Sequence, residues 1–362
     1  MGKAMTNQYH PDRVSPPGAT LAEVLDERGM TQVDFANRAG RTPKFVNEVI
    51  NGKAPITPQV ALEFQRVLGI PGSFWNNRQR GYDAFLAAEK EKQTLAEKLE
   101  WAKNFPYAAM AKRKWVPETR EKLSRLSNIL DFFGVANPDA WTDVWGNLKV
   151  AYRRSATLSV DEFALAAWLQ AGEFIARSID CEPFDKSKFI DALKEARKLT
   201  VTSPEVFVAE LQRICASAGV AVAFVPELPK TASGATRWLS QYKALLQLSL
   251  RYKTDDQLWF TFFHEAAHIL HHQKKRIFIE DGASENEQEL EANRFAADCL
   301  IPPVEYKRFL SRRRSNNISK DSIRQFSTDI GIAPGIVVGR LQYDKRLMPS
   351  HCNDLKRRLR WV

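Results

Sequence analysis

Two histidines and a glutamate, His264, Glu265 and His268, have the residue types and spacing that could hold a metal ion and use it. On a helix, residues four apart lie one turn apart on the same face, so both imidazoles can reach one zinc ion at about 2.1 Å. The glutamate between them would point toward the remaining coordination position, where it could take a proton from a water attacking a carbonyl. The pattern H-E-x-x-H therefore predicts a catalytic zinc with Glu265 as general base. The alternative is a coincidental histidine pair on an ordinary amphipathic helix.

A third ligand is expected from a second helix that begins a couple of dozen residues after His268. Apolar residues at helical spacing predict this helix, and its first turns are acidic. A catalytic zinc held by two histidines and a glutamate keeps its fourth position open, so we expect one of these acidic residues to complete the site. Glu291 is the predicted third ligand, and Glu287, one turn earlier on the same face, is the alternative. The predicted apolar positions are Leu290, Phe295, Ala297 and Leu300.

Three further residues are candidates for roles around the metal. His272 lies on the stripe of His264 and His268, but eight helical residues span about 12 Å, so it is too far away to bind the same ion. It is expected to contact a metal ligand or to be a surface histidine. His272 and Tyr252 are candidate donors to the oxyanion of a tetrahedral intermediate. Asp298, two turns beyond Glu291, is a candidate to orient a ligand imidazole.

These motifs, with the preceding segment Ser233–Trp238 and the following segment Cys299–Pro302, resemble the ImmA/IrrE family of metallopeptidases. The resemblance covers roughly the last 160 residues and depends on H-E-x-x-H followed by E-A-N-R-F-A-A. It implies a gluzincin-like fold, a small sheet beside two metal-binding helices, with His264, His268 and Glu291 as zinc ligands. Members of this family are associated with cleaving or otherwise inactivating repressor proteins. The family often has glycine where this sequence has Ala267.

Composition restricts the class of protein and of partner. The chain has 362 residues, 53 Lys and Arg against 43 Asp and Glu, and a net charge of +10, which favours an acidic partner such as nucleic acid. Its four cysteines form no C-x-x-C pair, so neither a disulfide framework nor a zinc knuckle is expected. No apolar run is long enough to span a membrane, and a cytoplasmic location is expected.

The first part of the chain has the pattern of a helix-turn-helix. Residues 1–19, which include four prolines or glycines in their second half, predict a flexible arm, and residues 20–83 predict four or five short helices. Small Ala36 falls where two helices would cross, Gly40 in the turn, and Val46 and Val49 where the second helix would enter the core. A generic four-helix bundle is the alternative.

Residues 15–85 resemble the HigA-type antitoxins of the Xre repressor superfamily. The resemblance implies that the helix after Thr42 enters the major groove of double-stranded operator DNA, and that the protein works as a homodimer on two half-sites. Lys44 and Asn47 are the candidate base readers, because lysine donates to guanine and asparagine pairs with adenine. The candidate phosphate contacts are Gln32, Thr42, Asn51 and Lys53. Arg41 and Pro43 depart from the family pattern, which leaves the operator sequence open.

Three more segments complete the predicted organisation. Residues 84–200 predict a helical connector, in which one long helix, 84–104, could link or pair protomers, and recurring aromatics suit an ordinary core or a ligand-sensing pocket. Residues 201–345 predict the peptidase domain, in which 244–250 is the expected edge strand for a peptide. Pro226, Pro229 and Gly234 predict a loop before this strand, beside the active-site cleft. Residues 346–362 form a basic tail, which suits solubility or a second DNA contact.

The expected fold class is mainly α with a small β-sheet. The expected function is a DNA-binding, antitoxin-like transcriptional regulator with a zinc endopeptidase domain that cleaves a partner such as a repressor or toxin. In the alternative, the peptidase-like domain of a repressor or antitoxin only senses a signal or binds a partner, without turnover.

Overall fold

The computed structural model describes residues 14–146, 161–271, 278–280, 287–311 and 318–361. The chain divides into two compact units between Lys98 and Leu99. Both are mainly helical and the second contains a small sheet, as the sequence predicted. None of the helices in the described ranges is long and apolar enough to cross a membrane.

The first unit has five helices within its described residues, and its turns follow local sequence rules. The side chains of Thr31, Thr42 and Thr57 each accept a backbone N–H at the start of a helix. Gly40 ends the second helix in the left-handed conformation, at φ 67°, which glycine adopts without strain. The helices are α1 (Pro17–Glu27), α2 (Gln32–Ala39), α3 (Pro43–Ile50), α4 (Pro58–Leu68) and α5 (Gly72–Ala96).

The core of this unit agrees with the predicted helix-turn-helix. Ala36 and Val46 are completely buried and Val49 is nearly so, which places α3 against α2 and α1. The predicted boundary at residue 19 was wrong, because α1 already begins at Pro17, a residue suited to a first helical turn. Gly18 lies so close to α3 that an added Cβ would meet the carbonyl oxygen of Val49.

The second unit surrounds a four-stranded sheet with the order β1-β3-β2-β4. Parallel pairing joins β1 to β3, and antiparallel pairing joins β2 to both β3 and β4. The strands are β1 (Val220–Phe224), β2 (Gly234–Ser240), β3 (Lys243–Leu248) and β4 (Phe278–Glu280). The helices that precede the sheet are α6 (Leu99–Ala102), α7 (Tyr107–Lys112), α8 (Lys122–Phe133), α9 (Pro138–Trp145), α10 (Glu162–Arg177), α11 (Lys186–Lys198) and α12 (Pro204–Ala216). Those that follow β3 are α13 (Asp255–His271), α14 (Glu287–Leu300), α15 (Pro303–Ser311), α16 (Lys320–Ile330) and α17 (Pro334–Tyr343).

Two expectations about this sheet were wrong. The segment around Gly234 was expected to be a loop, but it is strand β2, in the interior of the sheet. Residues 244–250 were expected at an edge, but β3 lies between β1 and β2. Among the described strands, β4 is the edge next to β2.

The sheet is packed between two helices. On one face, Arg237 of β2 and Gln247 of β3 donate to the carbonyls of Leu169 and Trp168 in α10, at 2.7 Å each. On the other face, Thr236 of β2 contacts α13. Since α10 lies within residues 84–200, that region is not a separate connector. Its part up to Lys98 continues the first unit, and its described residues from Leu99 onward belong to the second unit, in which α10 contacts the sheet.

The basic tail is part of the second unit. Leu355 and Leu359 are buried, and Thr254 forms a bridge with Arg358. Lys356 pairs with the buried Asp256 at the start of α13, at 2.7 Å. Much of this basic segment therefore stabilises the helix that carries the H-E-x-x-H motif.

Helices α16 and α17 repeat the α2–α3 turn. Phe326, Gly331 and Pro334 stand at the same offsets as Phe35, Gly40 and Pro43, and both glycines have the same left-handed conformation. The faces differ: Val338, at the offset of Asn47, is completely buried, whereas Asn47 is exposed. Because α17 packs against α13, this second turn presents no base-reading helix.

Candidate metal centre and nucleic-acid interface

His264, His268 and Glu289 converge on one point between α13 and α14. One ligand atom from each lies within 4.8 Å of the others, and no other described His, Cys, Asp and Glu side chains form such a group. The two Nε2 atoms are 3.0 Å apart, and Glu289 lies 3.0 Å from His264 and 3.5 Å from His268. Tetrahedral zinc with bonds of about 2.1 Å separates its ligand atoms by about 3.4 Å. The donor set and its spacing therefore fit zinc.

The contacts around this cluster orient its rings. The side-chain oxygen of Asn293 lies 3.0 Å from Nδ1 of His264, so the ring donates its Nδ1 hydrogen there and leaves the Nε2 lone pair for a metal. Both histidines are 1% exposed. Such burial excludes bulk water from the imidazoles and strengthens their electrostatic interactions.

The carboxylate of Glu289 is suited to the ionised form that a metal ligand requires. Burial raises its pKa, but the hydrogen bonds and charges of His264 and His268 outweigh burial and lower the pKa to about 2. At neutral pH this side chain is therefore an anion facing two imidazoles.

The structure does not bring Glu291, the predicted third ligand, to the cluster. Its carboxylate is 54% exposed and lies 3.7 Å from Nδ1 of His271. Two residues correspond to about 200° around a helix, so Glu291 must point away from the side that carries Glu289. Asn293, four residues after Glu289, shares its face.

Glu265 lies on the same helix as the histidines and is completely buried. Its Oε2 accepts a hydrogen bond from the hydroxyl of Thr236 at 2.6 Å. Gly234 leaves the space for this side chain, since a Cβ there would lie 2.8 Å from both Cγ and Oε1 of Glu265. Strand β2 thus contacts the residue predicted to be the general base.

The other candidates around the metal have different surroundings. Glu287 and Asp298 are both exposed on α14. Tyr252 is 49% exposed, and its ring lies beside the guanidinium of Arg251. His272 falls outside the described residues. Glu287, Asp298 and Tyr252, the described residues among these candidates, are not members of the group that His264, His268 and Glu289 form.

The candidate DNA-contacting residues lie together on an exposed face of the first unit. The side chain of Asn47 donates a hydrogen bond to Gln32 at 3.4 Å and accepts one from Asn51 at 3.2 Å. These bonds link the start of α2 to the middle and the end of α3. The side chain of Lys44 is 85% exposed. Thr42 caps the start of α3, because its hydroxyl accepts a hydrogen bond from the N–H of Phe45. Lys53 is exposed just after the end of α3.

Arg41 has an internal role in this unit. Its guanidinium forms a two-point ion pair with Glu63 of α4, at 2.7 and 3.0 Å, and lies over the ring of Phe45. The pair connects the turn before α3 to α4, so Arg41, which departs from the family pattern, stabilises the turn.

Four residues of the site were missed in the sequence: Glu289, Asn293, Thr236 and Gly234. The spacing of Glu289 and Asn293 was available as a signal, because residues four apart share a helical face. The two residues of β2 lie in the segment Ser233–Trp238, which the family resemblance included, but nothing in that segment predicted a contact with Glu265, nearly thirty residues away.

Comparison with known proteins finds two families in the chain. A helix-turn-helix family matches residues 21–75, and the IrrE N-terminal-like domain of the M78 peptidases matches residues 215–326. An uncharacterised HTH-type transcriptional regulator of Escherichia coli K12, YddM, is 31% identical over 83 residues, which cover 23% of this chain and 85% of the relative.

Two solved structures are similar to about a quarter of the chain, each at 29% identity. One is described as an antidote protein of a plasmid maintenance system from Nostoc punctiforme, with 24% of this chain and 93% of that chain covered and a TM-score of 0.23. The other is described as an addiction module antidote of the HigA family from Coxiella burnetii, with 24% and 94% covered and a TM-score of 0.22.

Proposed function

We propose that this chain, which belongs to the helix-turn-helix transcriptional regulators and carries an M78 peptidase-family domain, is a zinc-dependent endopeptidase that cleaves a partner protein. The observation that supports this most strongly is the convergence of His264, His268 and Glu289 beside a buried Glu265. A site that only binds metal has no need of a carboxylate positioned between its two histidines.

The first unit would bring the protein to operator DNA, in the promoter of its own gene. Lys44 and Asn47 would read base edges from α3, and Gln32, Thr42, Asn51 and Lys53 would contact phosphates. Helix-turn-helix proteins commonly bind paired half-sites, which supports a homodimer. Since an operator on a chromosome or plasmid lies in the cytoplasm, the protein would act there.

His264, His268 and Glu289 would hold the zinc, which when bound polarises the carbonyl of the scissile peptide and offsets the negative charge that develops on it. Glu265 would take the proton from the attacking water and deliver it to the leaving amine. Asn293 would hold the ring of His264 in the orientation that presents Nε2. The partner would be a repressor, a toxin or a second copy of this chain.

The test compares new protein N-termini in cells that express the parent chain, Glu265→Gln or His264→Ala. Since glutamine keeps the shape of glutamate but cannot accept the proton, Glu265→Gln should retain zinc and lose the cleavage products. His264→Ala should lose both. If the parent and Glu265→Gln give the same set of N-termini, the endopeptidase proposal fails.

Burial favours a second candidate function. His264, Glu265 and His268 are at most 1% exposed, which also suits a site that holds metal as a structural or sensing element of a repressor or antitoxin. In that case zinc removal should change operator affinity, and Glu265→Gln should leave both operator affinity and cellular N-termini unchanged.

A further inference from the structure

Strand β2 has two positions that face Glu265 on α13, and they are Gly234 and Thr236. Residues two apart on a strand face the same side, so both side-chain positions meet the same neighbour. Thr236 is 1% exposed, and its hydroxyl lies 2.6 Å from Oε2 of Glu265. Gly234 has no side chain, and the space where a Cβ would stand is filled by Cγ2 of Thr261 and by Cγ and Oε1 of Glu265, all on α13.

From this arrangement we infer that Thr236 and Gly234 are positioning residues for the carboxylate of Glu265: the hydroxyl holds one oxygen, and the missing side chain leaves room for the other. A completely buried carboxylate is costly unless it accepts hydrogen bonds, and an O–H donor at this distance makes a strong, charge-assisted one. The inference rests on the proposed function only in treating Glu265 as the proton acceptor.

The strand itself is rigidly placed, so it can set the position of a side chain on a neighbouring helix. Thr236 pairs with Leu246 of β3 on one side and with residue 278 of β4 on the other. The opposite face of β2 is anchored as well: Arg237 pairs with Glu173 of α10 at 2.9 Å and donates to the carbonyl of Leu169. A hydroxyl on such a strand has little freedom to move away from its acceptor.

The alternative is that Thr236 merely fills space against α13. Valine and serine at position 236 separate the two roles, because valine keeps the branched shape without the hydroxyl and serine keeps the hydroxyl without the branch. Thr236→Ala is the second variant without a hydroxyl, in case valine disturbs folding.

The deciding measurement is the position of the Glu265 carboxylate in crystal structures of the zinc-loaded full-length variants. We expect Thr236→Val and Thr236→Ala to move the carboxylate by more than about 0.5 Å, the tolerance of a functional group, and Thr236→Ser to leave it in place. All three should bind one zinc, because His264, His268 and Glu289 are untouched. A carboxylate that stays in place in both variants without the hydroxyl would overturn the inference.

Cleavage of the partner provides the second readout. If Glu265 acts in hydrolysis, Thr236→Val should reduce the rate by about 10- to 100-fold, as expected for loss of a hydrogen bond to a charged group, and Thr236→Ser should restore most of it. A displaced carboxylate in a chain that cleaves nothing would support the positioning role and refute the proposed function. An unmoved carboxylate in an active enzyme would do the reverse.

Discussion

The side-chain oxygen of Asn293 lies 3.0 Å from Nδ1 of His264. Asn293 follows Glu289 on α14 by four residues, or about one helical turn. One face of α14 thus supplies both Glu289, the third member of the candidate metal site, and the acceptor that orients the ring of His264. This contact links the two helices through the ring of His264.

Asn293→Ala should lower zinc affinity by about 10- to 100-fold, the usual effect of removing a partner that orients a metal-bound histidine. Asn293→Asp keeps an acceptor at this position and should bind zinc nearly as well as the parent. Arg294→Ala, an exposed neighbour, is the control. Titration of the metal-free proteins with zinc against a competing chelator measures all three. Equal affinities for Asn293→Ala and the parent would show that the contact has no such role.

In the first unit, we expect Asn47→Ala to reduce discrimination between the operator and unrelated DNA by about 1–3 kcal/mol. The side chain of Asn47 is exposed on α3, beside Gln32 at the start of α2, where it can reach a base edge. Lys53→Ala should weaken binding to all sequences and reduce the salt slope by about one. Binding to the region upstream of the gene at several salt concentrations tests both, with Lys90→Ala on exposed α5 as the control. The assignment fails if Asn47→Ala weakens operator and unrelated DNA equally.

The buried pair of Lys356 and Asp256 should matter for stability. Its side chains are 12% and 4% exposed, so removal of the ammonium leaves a charge with little access to water. We expect Lys356→Met to lower the free energy of unfolding by about 3–5 kcal/mol, and the exposed Arg360→Met to change it little. Chemical denaturation followed by circular dichroism gives both values, and similar stabilities for the two variants would contradict this role of the tail.

Asp255 predicts a specific dependence of stability on pH. Burial, followed by the charge of Asp256, raises the pKa of Asp255 from 3.8 to about 6 in the folded chain. The folded protein therefore holds this proton more tightly than the unfolded chain does. Protonated Asp255 contributes its full stabilisation of the folded state below pH 3.8, and this contribution is lost as the pH rises through about 6.

Asp255→Asn keeps the acceptor for the N–H groups of Asp256 and Arg357 but cannot ionise. Relative to the parent, its free energy of unfolding should rise between pH 4 and 7 by up to about 3 kcal/mol. Denaturation curves across this range provide the measurement, with the exposed Asp298→Asn as a control. A difference between Asp255→Asn and the parent that does not vary with pH would refute the assignment.

The parts of the fold and site that could be predicted from sequence are local ones. His264, Glu265 and His268 share one helix, so their spacing alone predicts that the two imidazoles face the same point. The turn at Gly40 was predictable for the same reason. The left-handed glycine, the capping Thr42 and the buried Val46 lie within seven residues of one another.

The third member of the cluster was not predictable in this way, because it depends on which side of α14 faces the core. The sequence suggested an apolar stripe through Leu290, but Leu290 is 55% exposed. The buried face instead runs through Ala292 and Ala296, which turns Glu289 inward and Glu291 outward. Small alanines give a weak hydrophobic signal, and only their packing against α13 identifies that face.

We propose that Glu289 holds the metal together with His264 and His268. The most direct test is the zinc content and zinc affinity of purified Glu289→Gln beside the matched variant Glu291→Gln. We predict that Glu289→Gln loses affinity by at least about 100-fold, more than the loss of an orienting partner, while Glu291→Gln binds one zinc as tightly as the parent. Normal zinc binding by Glu289→Gln, or a loss confined to Glu291→Gln, would contradict the assignment.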